Sequence, residues 1–250
     1  MRTAPPRDTG GVLHGTLPVA GRILRSLRGD RRTLALVAVV PVFLLFLLSE
    51  VFPRPKPVAP VLLGVFVFFL TYLLTAIGFL RERTAGTLDR VLVSPISRGG
   101  LVLGYLLGYG ALAVVQSVVL LGAAVVFLDV TFTHGVALFL AVEILGAFTA
   151  LGLGVLLSLF AQNEFQAIQF IPVVITPQVI LGGTFLPVSE LPAYLRYPAL
   201  LMPITHLVDA MEYVVLGVGD RGDLLVAVGA LAGFATLAVV TAAVVIRRAG

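Results

Sequence analysis

The residue types that perform common enzyme chemistry are absent from this chain or lie too far apart to act together. Cysteine is absent, and His14, His134 and His206 lie in three separate regions, so no metal cluster is predicted. The only lysine, Lys56, lies between two prolines, whereas a nucleotide-binding P-loop needs Gly-Lys-Ser/Thr. A Gly-x-Ser-x-Gly nucleophile motif does not occur. The sequence therefore predicts a chain that is not itself an enzyme.

Glu143 is the one acidic residue well inside a long apolar run. A charge in that position costs about 2.5–3.5 kcal/mol on insertion scales, so it is a functional candidate by default. One interpretation is that Glu143 lines a translocation path or pairs across helices. The other is that it lies only two turns from the outer surface and either extends outward or is protonated.

The segment Arg81–Pro95 combines charges with an apolar stripe. Gly86 is predicted to end the helix that leaves the membrane, and Thr87 to cap a short new helix that Pro95 ends. Its apolar side chains share a face by their i, i+3, i+4 spacing: Leu88, Val91 and Leu92. Such a stripe is either a docking surface for a soluble partner or an ordinary turn whose apolar side chains dip into the lipid interface.

The composition requires that lipid surround most of the chain. Apolar residues make up 59 % of its 250 residues and charged residues only 12 %, too few for a soluble surface. Six runs are long enough to cross a bilayer as helices. The predicted spans are residues 33–52, 57–80, 99–128, 135–160, 165–185 and 224–246. The sequence thus predicts an all-α integral membrane protein with six transmembrane helices.

The basic residues set the predicted orientation. Thirteen of the seventeen lysines and arginines fall in segments on one side of the six spans, which places both termini in the cytoplasm of a multi-pass cell-membrane protein. Residues 1–16 are predicted to be a cytoplasmic tail, and residues 17–250 a single transmembrane domain.

Residues 17–32 form a basic amphipathic stretch. One face carries Leu17, Ala20, Ile23, Leu24 and Leu27, and the other carries Arg22, Arg25 and Arg32. This pattern predicts a helix along the cytoplasmic interface, with its arginines toward lipid phosphates and water. The alternative is an extension of the first span that carries ordinary cytoplasmic positive charges.

Two pairs of glycines four residues apart are candidates for close helix packing: Gly104 with Gly108, and Gly229 with Gly233. Residues 182–212 cannot form a continuous span, since four prolines follow two adjacent glycines. This segment is predicted to be a broken hairpin that dips into the outer leaflet. The alternative is a plain extracellular loop.

Three of these features recur together in one family. An amphipathic helix precedes the first span, a Glu-x-x-x-Gly-Thr-Leu-acid-Arg-x-Leu-x-x-Pro string runs from Glu82 to Pro95, and a Phe-x-Pro…Leu-Pro…Pro-x-Thr-x-x-x-Asp-Ala string runs from Phe185 to Ala210. The chain resembles the membrane permeases of type-two ABC exporters, which include daunorubicin-resistance-like, nodulation-factor and polysaccharide exporters.

The resemblance implies a half-transporter that forms a homo- or heterodimer and binds two separate ABC ATPase subunits, which hold ATP-Mg. No cofactor is expected in this chain, which membrane lipids surround, and its net charge of +4 is too small to indicate a nucleic-acid partner. The ATPase-coupling residues would be Arg81, Glu82, Arg83, Gly86, Thr87, Leu88, Asp89, Arg90, Leu92 and Pro95. An extracellular re-entrant segment would comprise Phe185, Pro187, Glu190, Pro192, Pro203, Thr205, Asp209 and Glu212.

Two residues depart from the family pattern. Asp89 replaces the more frequent glutamate and keeps the charge, whereas Glu212 stands where an arginine is common and reverses it. The alternative function, from another class, is a stand-alone ion-coupled carrier or channel that uses Glu143.

Overall fold

The structure is a computed structural model that describes residues 15–51, 58–86 and 98–249. Every regular element within these ranges is a helix. In chain order they are α1 (Thr16–Gly29), α2 (Arg31–Val51), α3 (Ala59–Thr84), α4 (Arg98–Phe127), α5 (Val136–Ser158), α6 (Glu164–Phe170), a π turn (Ile171–Ile175), α7 (Thr176–Leu181), a 3₁₀ turn (Val188–Glu190), α8 (Ala193–Leu200), α9 (Pro203–Leu216) and α10 (Arg221–Ala249).

Within the described residues, five helical segments are long and apolar enough to cross a membrane. They are Ala59–Thr84, Leu103–Leu128, Val136–Ser158, Glu164–Leu181 and Arg221–Val245. The bent pair α8–α9 makes a sixth if it is counted as one span, and α2, the predicted first span, contributes the shorter apolar helix Val37–Val51. The predicted all-α integral membrane fold is confirmed.

Prolines interrupt the span formed by α6 and α7. Pro172 lies in the π turn, and Pro177 lies at the start of α7. Since proline has no backbone N–H and its ring clashes with the preceding turn, the regular hydrogen-bond ladder cannot pass through either position. The π turn carries the chain across this gap, so that Glu164–Leu181 remains one helical segment of 18 residues.

Helix α9 lies inside the bundle and fills space left by two glycines. A Cβ atom on Gly146 would lie 2.6 Å from Leu207 Cδ1, and one on Gly64 would lie 3.3 Å from Leu207 Cγ. Leu207 is fully buried as a result. Helix α8 precedes α9 at an angle of 86°. For residues 182–212 the sequence predicts a broken hairpin, with a plain loop as the alternative. In the structure this segment contains two helices, α8 and α9, joined at a sharp bend.

The connection between α4 and α5 holds the end of α9. Thr133 Oγ1 donates to the Val215 carbonyl at 2.8 Å, and the His134 amide donates to the Val214 carbonyl at 3.1 Å. The His134 ring stacks on Tyr213 with centroids 4.0 Å apart. These two residues donate hydrogen bonds to carbonyls at the end of α9 that accept none from within the helix.

Helix α1 packs tightly against the first part of α4. A Cβ on Gly104 would lie 2.5 Å from Val19 Cβ, and one on Gly108 would lie 2.8 Å from Ile23 Cβ. The two β-branched side chains, four residues apart on α1, thus fit over two glycines four residues apart on α4. This is the close packing that the spacing of Gly104 and Gly108 indicates.

Only part of the apolar face predicted for α1 contacts the bundle. Leu17 is 77 % exposed and Leu24 37 %, whereas Val19 joins Ala20 and Ile23 in the contact with the bundle. The residues that lie over Gly104 and Gly108 are the β-branched Val19 and Ile23. Gly229 and Gly233 make no such contact, because a Cβ at either position would meet nothing within 4 Å.

Replacing Gly104 with alanine should loosen α1. The added methyl would overlap Val19, and overpacking of this kind costs about 1–3 kcal/mol. We expect Gly104→Ala to lower the thermal unfolding midpoint of the purified protein and to make α1 more accessible to protease. The matched control is Gly229→Ala, which meets no neighbour and should leave the midpoint unchanged or slightly higher. Equal midpoints for the two variants would contradict the α1–α4 contact.

Candidate functional site

Three consecutive charged residues end α3, and each contacts a different part of the fold. Arg81 pairs with Glu164 at the start of α6, Glu82 binds side chains of α1 and α4, and Arg83 binds carbonyls just after α5. Successive helical residues point about 100° apart, so three in a row reach three directions. We call the end of the bundle where these contacts lie the basic end.

Glu82 accepts two hydrogen bonds on one carboxylate oxygen. Arg22 of α1 forms a salt bridge with Glu82 Oε2, and the Tyr105 hydroxyl of α4 donates to the same atom. Arg22 Nη2 also lies 3.3 Å from the Tyr105 oxygen. The three side chains therefore join α1, α3 and α4 through one carboxylate, and we call them the Glu82 triad.

The Glu82 triad is partly shielded from solvent. The side chains of Arg22 and Glu82 are 34 % and 18 % exposed, and Tyr105 is buried. The Tyr105 ring packs edge-on against Phe79, with centroids 4.9 Å apart. Partial burial by itself would lower the pKa of Arg22, but Glu82 and Tyr105 outweigh it and raise that pKa above its usual value. Arg22 is thus a permanent cation here.

This position of Arg22 corrects an expectation. The amphipathic pattern placed Arg22 with Arg25 and Arg32 on a face toward lipid phosphates and water. In the structure Arg22 instead binds Glu82. The reason is that Val19 and Ile23 pack on α4, and the side of α1 that carries Arg22 then faces the end of α3. Arg25 remains exposed, and the Arg32 side chain lies outside the described residues.

Arg81 and Arg83 attach the end of α3 to the connection between α5 and α6. Arg81 donates Nε and Nη2 to the two carboxylate oxygens of Glu164, at 2.7 and 3.1 Å. Arg83 donates to the Leu159 carbonyl at 2.7 Å and to the Ala161 carbonyl. A cation at the end of α5 also interacts favourably with the helix dipole.

Gly86 lies directly beyond these contacts. Helix α3 ends at Thr84, and Gly86 has φ +66°, a left-handed conformation that glycine adopts without a steric penalty. The predicted end of the helix at Gly86 is confirmed. The other predicted coupling residues lie outside the described residues: Thr87, Leu88, Asp89, Arg90, Leu92 and Pro95.

Glu143 lies on α5 and is completely buried. Its exposed fraction is 0 %, and neither carboxyl oxygen has a hydrogen-bond partner within the described part of the chain. Ser117 of α4 lies beside it, but no hydrogen bond of normal geometry joins the two side chains. The interpretation in which Glu143 extends outward to the surface is therefore wrong for this conformation.

Residues of the predicted re-entrant segment divide into two groups. Pro203 and Thr205 are buried at the bend, where the Thr205 hydroxyl donates to the Ala199 carbonyl at 2.6 Å. The residues that come before α8 are exposed, as is Asp209, and Glu212 is half-buried; the exposed ones are Phe185, Pro187, Glu190, Pro192 and Asp209. The structure thus places these predicted residues on both sides of the bend rather than in one cluster.

Sequence reasoning missed three participants of the basic end. The sequence analysis does not select Tyr105 or Glu164, and the amphipathic pattern places Arg22 toward lipid phosphates and water. Glu164 gave a usable signal, because it is an acidic residue in the first turn of a helix and follows the helix-capping Asn163. Tyr105 gave none, since a tyrosine in an apolar helix is ordinary.

Replacing Glu82 should destabilise the protein more than replacing Arg81. Glu82→Gln leaves the partly buried Arg22 without its counter-ion, which costs about 1–3 kcal/mol. Arg81 and Glu164 are 56 % and 49 % exposed, so Arg81→Gln should cost about 1 kcal/mol or less. Thermal or denaturant unfolding in nanodiscs measures both. An equal or reversed order would contradict the importance assigned to the Glu82 triad.

Comparison with known proteins places this arrangement in a family. Residues 19–216 match the model of the family described as "ABC-2 type transporter". The chain is 32 % identical over 147 residues to "ABC transporter G family member 20" of Dictyostelium discoideum, a match that covers 58 % of this chain and 20 % of that protein.

Two bacterial relatives show the same similarity. "Probable multidrug ABC transporter permease YbhR" of Escherichia coli (strain K12) is 26 % identical over 64 % of this chain and 43 % of its own length. "Nodulation protein J" of Rhizobium meliloti (strain 1021) is 28 % identical over 56 % of this chain and 53 % of its own length. The chain thus aligns with between a fifth and about half of each relative. With a match that includes α3, α4, α5 and α9, the chain belongs to the ABC-2 type transporter family.

Proposed function

We propose that this chain is the membrane-spanning permease subunit of an ATP-binding-cassette exporter. It would form the translocation path as a homo- or heterodimer and take mechanical work from two separate ATPase subunits. The family match and the names of the relatives support this class. The observation that carries the proposal is the set of contacts made at the end of α3 by the first of the predicted coupling residues, Arg81, Glu82 and Arg83.

The contacts at the basic end suggest how work would spread from that segment. A push on residues 87–95 by the ATPase would reach α3 through Gly86, within a few residues of Arg83. Arg81, Glu82 and Arg83 link α3 to α1, α4, α6 and the end of α5, so these helix ends would move as one body. Rigid-body motion of packed helices is the usual way in which a local displacement opens a path.

The proposal specifies how the bundle is oriented in the membrane. The basic end would lie in the cytoplasm with both termini, consistent with the excess of arginines in the segments at that end. The end of α9 that the α4–α5 connection holds would then face the outside, and the α8–α9 segment would cap the outer end of the path. ATP-Mg would be held by the partner ATPase, and no residue of this chain is assigned to it.

Two substitutions test the coupling segment. Leu88→Asp places a charge on the predicted apolar stripe, and Gly86→Pro removes the left-handed turn, for which proline's fixed negative φ is unsuitable. We expect each to abolish ATP-dependent transport and binding of the ATPase while membrane insertion stays normal. Transport into inside-out vesicles and co-purification of the ATPase are the measurements.

The matched control for Leu88→Asp is Val218→Asp, which places the same charge on a 55 % exposed residue beyond α9. This variant should transport and bind the ATPase normally. Recovery of the ATPase at the wild-type level with Leu88→Asp would contradict the proposed docking segment.

A second candidate function is a stand-alone ion-coupled carrier. The observation that favours it is Glu143, a fully buried carboxyl group without a hydrogen-bond partner among the described residues. Intramembrane acids of this kind occur in proton relays of transporters. In this second proposal the chain would need no ATPase, and Glu143 would bind and release the coupling ion.

Glu143→Gln separates the two functions. For the permease we expect the purified chain alone in liposomes to transport nothing when a proton gradient is applied. Glu143→Gln should then preserve ATP-dependent transport once the ATPase is present. Ser117→Ala, at the neighbouring position, is the control for a packing effect. Gradient-driven transport by the chain alone that Glu143→Gln abolishes would overturn the permease proposal.

A further inference from the structure

A narrow crevice between α3 and α4 is lined by polar side chains in the middle of the bundle. Thr71 and Thr75 of α3 and Gln116 of α4 form part of its walls, near the middle of both helices. Their exposed fractions are only 3 %, 1 % and 1 %. Neither threonine hydroxyl has a hydrogen-bond partner within the described part of the chain, and neither does Gln116 Oε1. Three buried polar atoms on the walls of one crevice thus lack partners.

The two hydroxyls differ in this respect from other threonines of the bundle. Thr149 and Thr236 each donate to the carbonyl oxygen four residues earlier in their own helix, at 3.0 and 2.7 Å. Thr71 and Thr75 make no such bond. A buried hydroxyl without a partner is unfavourable, so these side chains favour a ligand that can form hydrogen bonds with them.

One polar face of α3 connects the crevice to the basic end. Thr71, Thr75, Gly78 and Glu82 follow one another at intervals of three or four residues and therefore share this face. A Cβ atom on Gly78 would overlap the Tyr109 hydroxyl, so that hydroxyl lies directly on the same face. The Glu82 side chain is 18 % exposed, which means that solvent reaches the beginning of the face.

The crevice lies between two hydrogen-bonded points of α3 and α4. Tyr105 donates to Glu82 at the basic end, and Gln116 Nε2 donates to the Phe66 carbonyl at 3.3 Å farther along. Both threonines lie between these points. A slight separation of the helices there would expose the hydroxyls while both hydrogen bonds remain in place.

We propose that this crevice is a binding site for water, which enters from the basic end when α3 and α4 separate slightly. Water both donates and accepts hydrogen bonds, as two hydroxyls and an amide oxygen require, and it is small enough to lie between packed helices. An acyl chain would leave the three polar atoms unpaired. An ion would find no counter-charge, because the described residues that line the crevice are uncharged.

Ala113 provides a reporter for water in the crevice. It is a small residue of α4 that also lines the crevice, and the chain has no cysteine, so Ala113→Cys introduces a single thiol there. The chain alone, without any ATPase, is placed in nanodiscs and treated with a small water-soluble methanethiosulfonate, which reacts with the hydrated thiolate. We expect Ala113→Cys to react at least about tenfold faster than the control Ala76→Cys. Ala76 is next to Thr75 and equally buried, but it does not line the crevice.

Removing the two hydroxyls tests whether they attract the water. Valine has nearly the shape of threonine, so Thr71→Val/Thr75→Val should keep or raise the thermal unfolding midpoint. We expect this double change to slow the labelling of Ala113→Cys to the rate of Ala76→Cys. Thr149→Val removes a hydroxyl that is already bonded to two carbonyls outside the crevice, and it should leave the labelling rate unchanged.

Two results would overturn the water site. One is an equal labelling rate for Ala113→Cys and Ala76→Cys, which would mean that the crevice stays dry. The other is labelling of Ala113→Cys that Thr71→Val/Thr75→Val leaves unchanged, which would mean that the hydroxyls play no part. Since no sample contains an ATPase, neither result bears on the proposed permease function.

Discussion

A single carboxylate holds the basic end of this bundle together. Glu82 lies in the last turn of α3 and binds a guanidinium from α1 and a hydroxyl from α4 on the same oxygen atom. A carboxylate at the edge of an apolar bundle is costly unless its charge is paired, so each partner depends on the others. The flanking residues Arg81 and Arg83 extend the same connection to the region between α5 and α6.

Within the apolar part of the fold, glycines allow the helices to pack closely. Val19 and Ile23 pack over glycines of α4, and Leu207 occupies the notch left by Gly64 and Gly146. In a bilayer, burial of apolar surface does not itself drive helices together, so close van der Waals packing at glycines supplies much of the specificity. Polar contacts thus hold α1, α3 and α4 together at the basic end, and close packing at glycines positions the same helices within the apolar part of the bundle.

Much of the fold follows from patterns local to the sequence. Uncharged runs locate the long helices, and the prolines and glycines of residues 182–212 predict the bend between α8 and α9. Gly86 marks the end of α3 correctly. These features depend on composition over short stretches and on the backbone preferences of single residues, so they can be derived without knowledge of tertiary contacts.

The candidate site could be predicted only in part, because its partners come from distant parts of the chain. Arg22 and Glu82 are sixty residues apart, and nothing in either segment specifies the other. The buried face of α1 is set by glycines of α4, which lie beneath Val19 and Ile23, and the pattern of α1 alone does not locate those glycines. The direction of Glu143 depends on the rotation of α5, which the packing of α9 against Gly146 helps to set.

The most direct test of the Glu82 triad is a distance measured in the working transporter. The chain contains no cysteine, so Gly29→Cys and Thr84→Cys place two spin labels at the ends of α1 and α3 without further changes. Pulsed electron paramagnetic resonance gives their separation before and after ATP binds to the partner ATPase. The account predicts one narrow, unchanged distance in this background and a broad or shifted one when Glu82→Gln is added. A distance that changes with ATP while Glu82 is intact would contradict the claim that α1 and α3 move as one body.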